Sequence, residues 1–170
     1  MVDKALEITI DDTTKTLTVT QDGTVVKTMP ASLGKDSTPS SSGNMVVMTR
    51  ETQAIFDSST YGVPVDSPDG YRETVYFPLR LTWGGQFIHA APWSVDAQGQ
   101  DNVSHGCTNI STENAQWLYN ATHVGDPVSV EHTKRGLTWG DGWTDWDRDW
   151  SAYQKGSALP AGYDESAPQA

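Results

Sequence analysis

The chain reads as a mainly β, sandwich-like fold with a few short helices and a tryptophan-rich helical piece at its C-terminal end. Three observations predict this class. The first third alternates apolar and polar residues in the runs "ALEITI", "TLTVT" and "TVVKTM", parted by the turn-like "DDTTK" and "QDG". Before the tail, "TENAQWLYNAT" keeps helical spacing. The tail itself sets Trp143, Trp146, Trp150 and Tyr153 at intervals of three, four and three, the periodicity of one helix face.

Taken in order, the three opening runs are strands. "PASLGKDSTPSSSGN", Pro30 to Asn44, is rich in Gly, Pro and Ser and reads as a loop. "MVVM" and "QAIF" are short strands. "DSSTYGVPVDSPDGY", Asp57 to Tyr71, carries two prolines and two glycines and reads as a long ordered loop. Loops of that length in a compact domain are usually functional or disordered. "TVYFPLRLTW" and "GQFIHA" resume strand character. Ser111 is placed to cap the helix that follows, with Ala115, Leu118 and Ala121 (or Thr122) at helical spacing. "DPVSVEH" is a last strand. Beyond it, the aromatic stripe opposes Asp145, Asp147, Arg148 and Asp149, which predicts an amphipathic helix docked through buried aromatics; stacking on a sugar is the alternative. Residues 1–136 are expected to form the main domain and 137–170 the extension, fraying after Gly156.

A length of 170 residues suits one domain with an appendage. Eleven Lys and Arg against 22 Asp and Glu give a net charge of −11. That argues against nucleic acid or an anionic membrane surface as partner, because both need a basic face. No run of apolar residues is long enough to span a bilayer. "MVDKALEITI" passes almost at once into strand-like alternation, so no leader is visible; the chain is expected to be cytosolic, or an exported domain without its leader. The three Asn-x-Ser/Thr matches, at Asn102, Asn109 and Asn120, are taken as chance.

Cys107 is the single cysteine, which rules out an internal disulfide. His89, His105 and Cys107 are zinc-type ligands, but a structural zinc site needs four, commonly in CxxC or HxxxH pairs, and the sequence has no such pair. A lone cysteine is often a buried filler. Its neighbours here argue for reactivity. Gly106 allows close backbone approach, Ser104, His105, Thr108 and Asn109 are polar, and a helix starts just downstream. Helix N–H groups favour a thiolate, and His89 closes the apolar strand "QFIH", which would hold it rigidly. A nucleophile and base drawn from separate elements is a recurrent assembly. On the residues alone, filler and nucleophile both stand.

The stretch "FIHAAPWSVDAQGQDNVSHGCTNIS" resembles the active-site signature of the L,D-transpeptidases, the YkuD-type catalytic domain: a histidine, a gap, then Ser/Thr-His-Gly-Cys-x-Asn. The loop "MPASLGKDSTPSSSG" is similar to the family's Gly…Thr-Pro…Gly segment, here Gly34, Thr38, Pro39 and Gly43. "DSSTYGVPVDSPDGY", "APWS" and the Trp-rich extension resemble the actinobacterial, mycobacterial-type branch. The likeness covers residues from about 6 to 153.

The resemblance implies Cys107 as nucleophile and His89 as general base, with His105 structuring the pocket and the N–H groups of Gly106 and Cys107 as oxyanion-hole candidates. It implies that Tyr71, Gly84, Gly85 and Asn109 line the substrate cleft. The position after His89 is often Ser in the closest branch and is Ala90 here; the main-chain oxygen that orients the imidazole survives the change. The implied activity is an extracytoplasmic acyltransferase of peptidoglycan. It takes a stem tetrapeptide as donor and a neighbouring stem as acceptor, through a cysteine thioester. Carbapenem-type β-lactams are implied as covalent inhibitors, and no metal or organic cofactor. Cysteine peptidases of the papain or NlpC/P60 type place Cys before His, the reverse of the order here; a non-catalytic wall-binding module would explain only the aromatic tail. Carboxylates near the long loop, Asp57, Asp66, Asp69 and Glu73, suit an amine acceptor. For the thiol, burial raises the pKa while an imidazolium and a helix end lower it; the expected balance is a moderate depression caused mainly by His89, with thiolate dominant at neutral pH.

Overall fold

Alternation along the first strands sorts their side chains onto one inner face. The computed structural model describes residues 6–68 and 70–156. In β1 (Leu6–Asp11), Leu6, Ile8 and Ile10 are buried; in β2 (Thr16–Gln21), Leu17 and Val19 are. β3 (Thr24–Pro30) is mostly exposed and ends on a proline, as an edge strand tolerates. β4 (Ser41–Val46) and β10 (Pro127–Glu131) complete the pattern with Met45, Val46, Val128 and Val130. With β11 (Arg135–Gly136) they form one sheet in the order β11-β4-β10-β1-β2-β3, in which β1 and β10 run parallel with Ile8 beside Val128.

The second sheet carries the histidine. It comprises β5 (Thr49–Arg50), β6 (Gln53–Asp57), β7 (Arg72–Arg80), β8 (Phe87–Ala90) and β9 (Thr108–Ile110), ordered β5-β7-β8-β9, with β6 also paired to β7. The pairing of β7 with β8 slips between Tyr76 and Leu79, where Phe77 has φ 54° and Pro78 cannot donate. Helix α1 (Thr112–Ala121) packs on β7 and β8, and the Ser111 hydroxyl accepts from the Asn114 N–H at 3.2 Å, the expected cap. Ala115 and Leu118 join the core that both sheets share. Among the described residues no helix is long and apolar enough to cross a membrane.

The structure changes three expectations. β4 begins inside the segment read as loop, because β10 and β11 pair with its Ser- and Gly-rich start. β9 stands between Cys107 and α1, so the thiol meets a strand and not a helix end. The aromatic stripe is not one helix: Trp146 lies in a 3₁₀ turn (Asp145–Asp147), Arg148 is extended, and α2 (Trp150–Lys155) begins afterwards. Its members stay outside, with Trp146 72% and Trp150 69% exposed. Polar contacts anchor the extension instead. Asp147 accepts from the Asn44 N–H at 2.7 Å, Asp141 accepts from the Gly84 N–H at 2.6 Å, and Thr144 is buried beneath. Asp147, expected on the solvent face, is thus one of its fastenings. The fraying expected after Gly156 lies outside the described residues.

Candidate active site

His89 and the cysteine loop meet because β8 and β9 pair in parallel, setting His89 beside Asn109. Cys107 precedes β9 and so falls at the entry of β8, its Sγ 3.7 Å from the Gly85 carbonyl oxygen. His89, Cys107, Asn109, Ser104, His105 and Tyr71 line one cleft of about 670 Å³.

The imidazole is held on three sides. Its Nδ1 lies 2.9 Å from the Ala90 carbonyl oxygen, which can only accept, so Nδ1 carries the proton and Nε2 keeps its lone pair. Phe56 meets the ring edge-on at 5.3 Å, and Trp93 flanks it at 6.0 Å. Burial lowers the His89 pKa to about 4, the Ala90 bond opposing only in part. Cys107 is half-exposed, yet enough protein surrounds its sulfur for desolvation to dominate, and among the described residues no cation pairs with it. Burial pushes its pKa up to about 11, and a backbone hydrogen bond from Phe87 opposes this weakly. The resting pair is therefore neutral thiol and neutral imidazole. The expected thiolate is overturned: with a strand where the helix end was expected, and a histidine too buried to hold a proton, both lowering influences are missing.

The loop from Ser104 to Cys107 is laced internally and to its neighbour. The Ser104 hydroxyl accepts from the Gly106 N–H at 3.0 Å and donates to the Cys107 carbonyl. The Gly106 amide, expected to face an oxyanion, is thus engaged elsewhere. From the Gly34–Ser40 loop, the Lys35 N–H donates to the Ser104 carbonyl at 3.0 Å, and the Ser40 hydroxyl to the Gly106 carbonyl at 2.8 Å.

The long loop closes on itself: the Ser58 N–H donates to the Tyr71 carbonyl, and the Tyr71 N–H returns to the Ser58 hydroxyl. Tyr71 then stacks on His105 at 5.2 Å. Gly84 and Gly85 border a smaller hollow of about 230 Å³ with His105, Gly106, Arg135 and Asp141, and Gly85 meets the cleft only through its carbonyl beside the Cys107 sulfur. His105 borders both spaces. Of the named carboxylates, Glu73 lines the cleft, its pKa raised by burial, while Asp57 is bound to Ser59 and paired with Arg72. Asp69 lies outside the described residues. The sequence reading missed Phe56, Lys35 and Asp96, which reach the cleft from three separate segments, and it assigned no role to Trp93, although "APWS" marked its place. Asn109 is buried and its amide donates to Ser94 at 3.2 Å, in keeping with a chance glycosylation match.

Comparison with known proteins identifies the family. The model of the YkuD L,D-transpeptidase catalytic domain matches residues 6–130. L,D-transpeptidase 2 of Mycobacterium tuberculosis (strain CDC 1551 / Oshkosh) is 51% identical over 151 residues, 88% of this chain and 37% of that protein. An L,D-transpeptidase from Mycobacterium smegmatis superposes with a TM-score of 0.74 at 43% identity, covering 76% of this chain and 59% of that one. The L,D-transpeptidase LdtMt1 in complex with imipenem superposes with a TM-score of 0.74 at 46% identity, over 75% of this chain and 59% of that one. The chain thus spans well under half the length of the curated relative it matches. A matching domain over most of the chain and a half-identical relative, beside a histidine strand paired to the strand that follows a Ser-His-Gly-Cys loop, place this chain in the YkuD family of L,D-transpeptidase catalytic domains.

Proposed function

We propose that this chain is the catalytic part of an L,D-transpeptidase that cross-links peptidoglycan stem peptides outside the cytoplasm. Cys107 is its nucleophile and His89 its base. As the sulfur attacks the amide carbonyl after the L-centre of diaminopimelate in a donor tetrapeptide, Nε2 of His89 takes the thiol proton. The same nitrogen returns that proton to the departing amine, D-Ala leaves, and a thioester remains. The side-chain amine of a neighbouring stem then attacks the thioester and gives a proton to His89. The diaminopimelate-to-diaminopimelate amide forms, and the proton goes back to sulfur. Spaces on both sides of His105 suit a reaction with two stems, and Glu73 and Asp96 suit a cationic acceptor. Residues 1–136 are the catalytic domain in this reading and 137–170 its extension.

The observation that carries the reading is the imidazole whose Nδ1–H is tied to Ala90, leaving the Nε2 lone pair free in the cleft that also holds the thiol. Burial disfavours charge on both groups at rest, so the proton moves only together with attack of the sulfur on the carbonyl. The test is mass spectrometry of the protein incubated with a disaccharide-tetrapeptide. Release of D-Ala and a cross-linked dimer are expected, both absent in Cys107→Ala. Free peptide without dimer would indicate a peptidase. Imipenem, bound by the relative LdtMt1, is expected to add one molecule to the wild type and none to Cys107→Ala.

A further inference from the structure

We propose that Ser40 is a positioning residue for acyl transfer, setting the direction of the Cys107 N–H by holding the carbonyl of the same peptide unit. This rests on the reading of Cys107 as nucleophile. Ser40 is 1% exposed, and its hydroxyl is used twice: it accepts from the Gly34 N–H at 3.0 Å and donates to the Gly106 carbonyl at 2.8 Å. A trans peptide is planar, with its C=O and N–H pointing opposite ways. Fixing the Gly106 oxygen toward Ser40 therefore points the Cys107 N–H away from Ser40.

That peptide needs holding. Gly106 has φ +125°, a conformation that only glycine adopts readily, so the unit after it turns more easily than any other in the loop. The Gly106 N–H is already committed to Ser104, which leaves the Cys107 N–H as the loop's remaining amide next to the reacting carbon. An oxyanion formed when sulfur attacks a carbonyl lies within reach of the nucleophile's own amide, and a donor stabilises it only if oriented beforehand. The hydroxyl of Ser40 is supported by Gly34, whose Cα lies so close to the backbone of Thr38 and Ser40 that a Cβ would meet the Thr38 oxygen at 2.2 Å. The clamp is thus rigid at its far end.

Two reactions of the same sulfur separate this role from a merely structural one. Acylation by imipenem develops an oxyanion; alkylation by iodoacetamide does not. In Ser40→Ala, acylation is expected to slow by about 100-fold, the scale of losing one oxyanion donor, while alkylation changes less than about threefold. Ser40→Thr and Ser40→Val have nearly one shape and differ in the hydroxyl, so Thr should acylate near the wild-type rate and Val should not. This pair decides the matter if the alanine variant does not fold. Equal loss of both reactions, or acylation unslowed in folded Ser40→Ala, or no difference between Thr and Val, overturns the proposal. Absence of any imipenem adduct on the wild type overturns the nucleophile reading and this proposal with it.

Discussion

A thiol held neutral at pH 7 makes a distinct kinetic signature. Free cysteine titrates near 8.5, whereas Cys107 is pushed to about 11 by burial. The wild-type rate of iodoacetamide alkylation should keep climbing between pH 8 and 10, where free cysteine levels off. Because the cause is desolvation and not His89, His89→Ala should leave the midpoint where it is; a wild-type midpoint below 8.5 that rises in the variant would restore the ion-pair picture. His89 leaves a mark on stability. Its folded pKa of about 4 lies below the ordinary 6.5, so the unfolded chain binds a proton first as pH falls. Its contribution is complete above pH 6.5 and is lost as pH drops toward 4, amounting to about 3 kcal/mol. Urea unfolding at pH 7.5 and 4 should show that loss in the wild type, and about 3 kcal/mol less of it in His89→Gln. "FIH" and "SHGC" singled out His89 and Cys107 through their resemblance to the family signature, and the structure brings both residues to one cleft. Their protonation was not legible in the sequence, since it follows from Phe56, Trp93 and the missing helix end, which only the tertiary fold brings together.

At the level of elements, period-two alternation made β1 and β2 readable, and the Ser111 cap with Ala115 and Leu118 made α1 so. The start of β4 escaped because its partners, not its own residues, hold it: Ser41, Ser42 and Gly43 have low strand preference, but the first two pair with β11 and Gly43 with β10. The extension misled for the opposite reason. Its spacing was helical, but Asp147 and Asp149 hydrogen-bond backbone N–H groups of Asn44 and Ala152, which divides the segment at Arg148. Removing Asp147 by Asp147→Ala should therefore destabilise by about 1–2 kcal/mol, whereas Trp146→Ala should cost less than about 0.5 kcal/mol. The reverse ranking would show that the aromatic face is packed in solution. The Gly34–Ser40 loop gives a stronger case. Gly34→Ala forces the Thr38 carbonyl away, and a loss of about 3 kcal/mol by chemical denaturation, with slower imipenem acylation, is expected.

Across the whole molecule, charge opposes the compact state. The chain carries −11, and the ion pairs formed among the described residues, Lys15–Asp12, Arg72–Asp57, His132–Asp11 and Lys134–Asp36, lie at or near the surface, where each contributes little. Repulsion among the surplus carboxylates acts over distances set by salt, about 30 Å at 0.01 M and about 8 Å at 0.15 M. Raising NaCl between these limits at pH 7.5 should thus screen more repulsion than attraction. A rise of a few degrees in the thermal midpoint is expected, on the scale of about 1 kcal/mol for a domain of this size. Both salt levels stay below the range in which ions alter water structure, so the effect reads as screening. The urea m-value should not change, because the surface exposed on unfolding is the same. A midpoint that falls with salt would mean that the surface pairs outweigh the net charge. The sheet supplies the reason to expect otherwise: β1 and β10 join both ends of the catalytic domain through Ile8, Ile10, Val128 and Val130, an apolar seam that salt does not weaken.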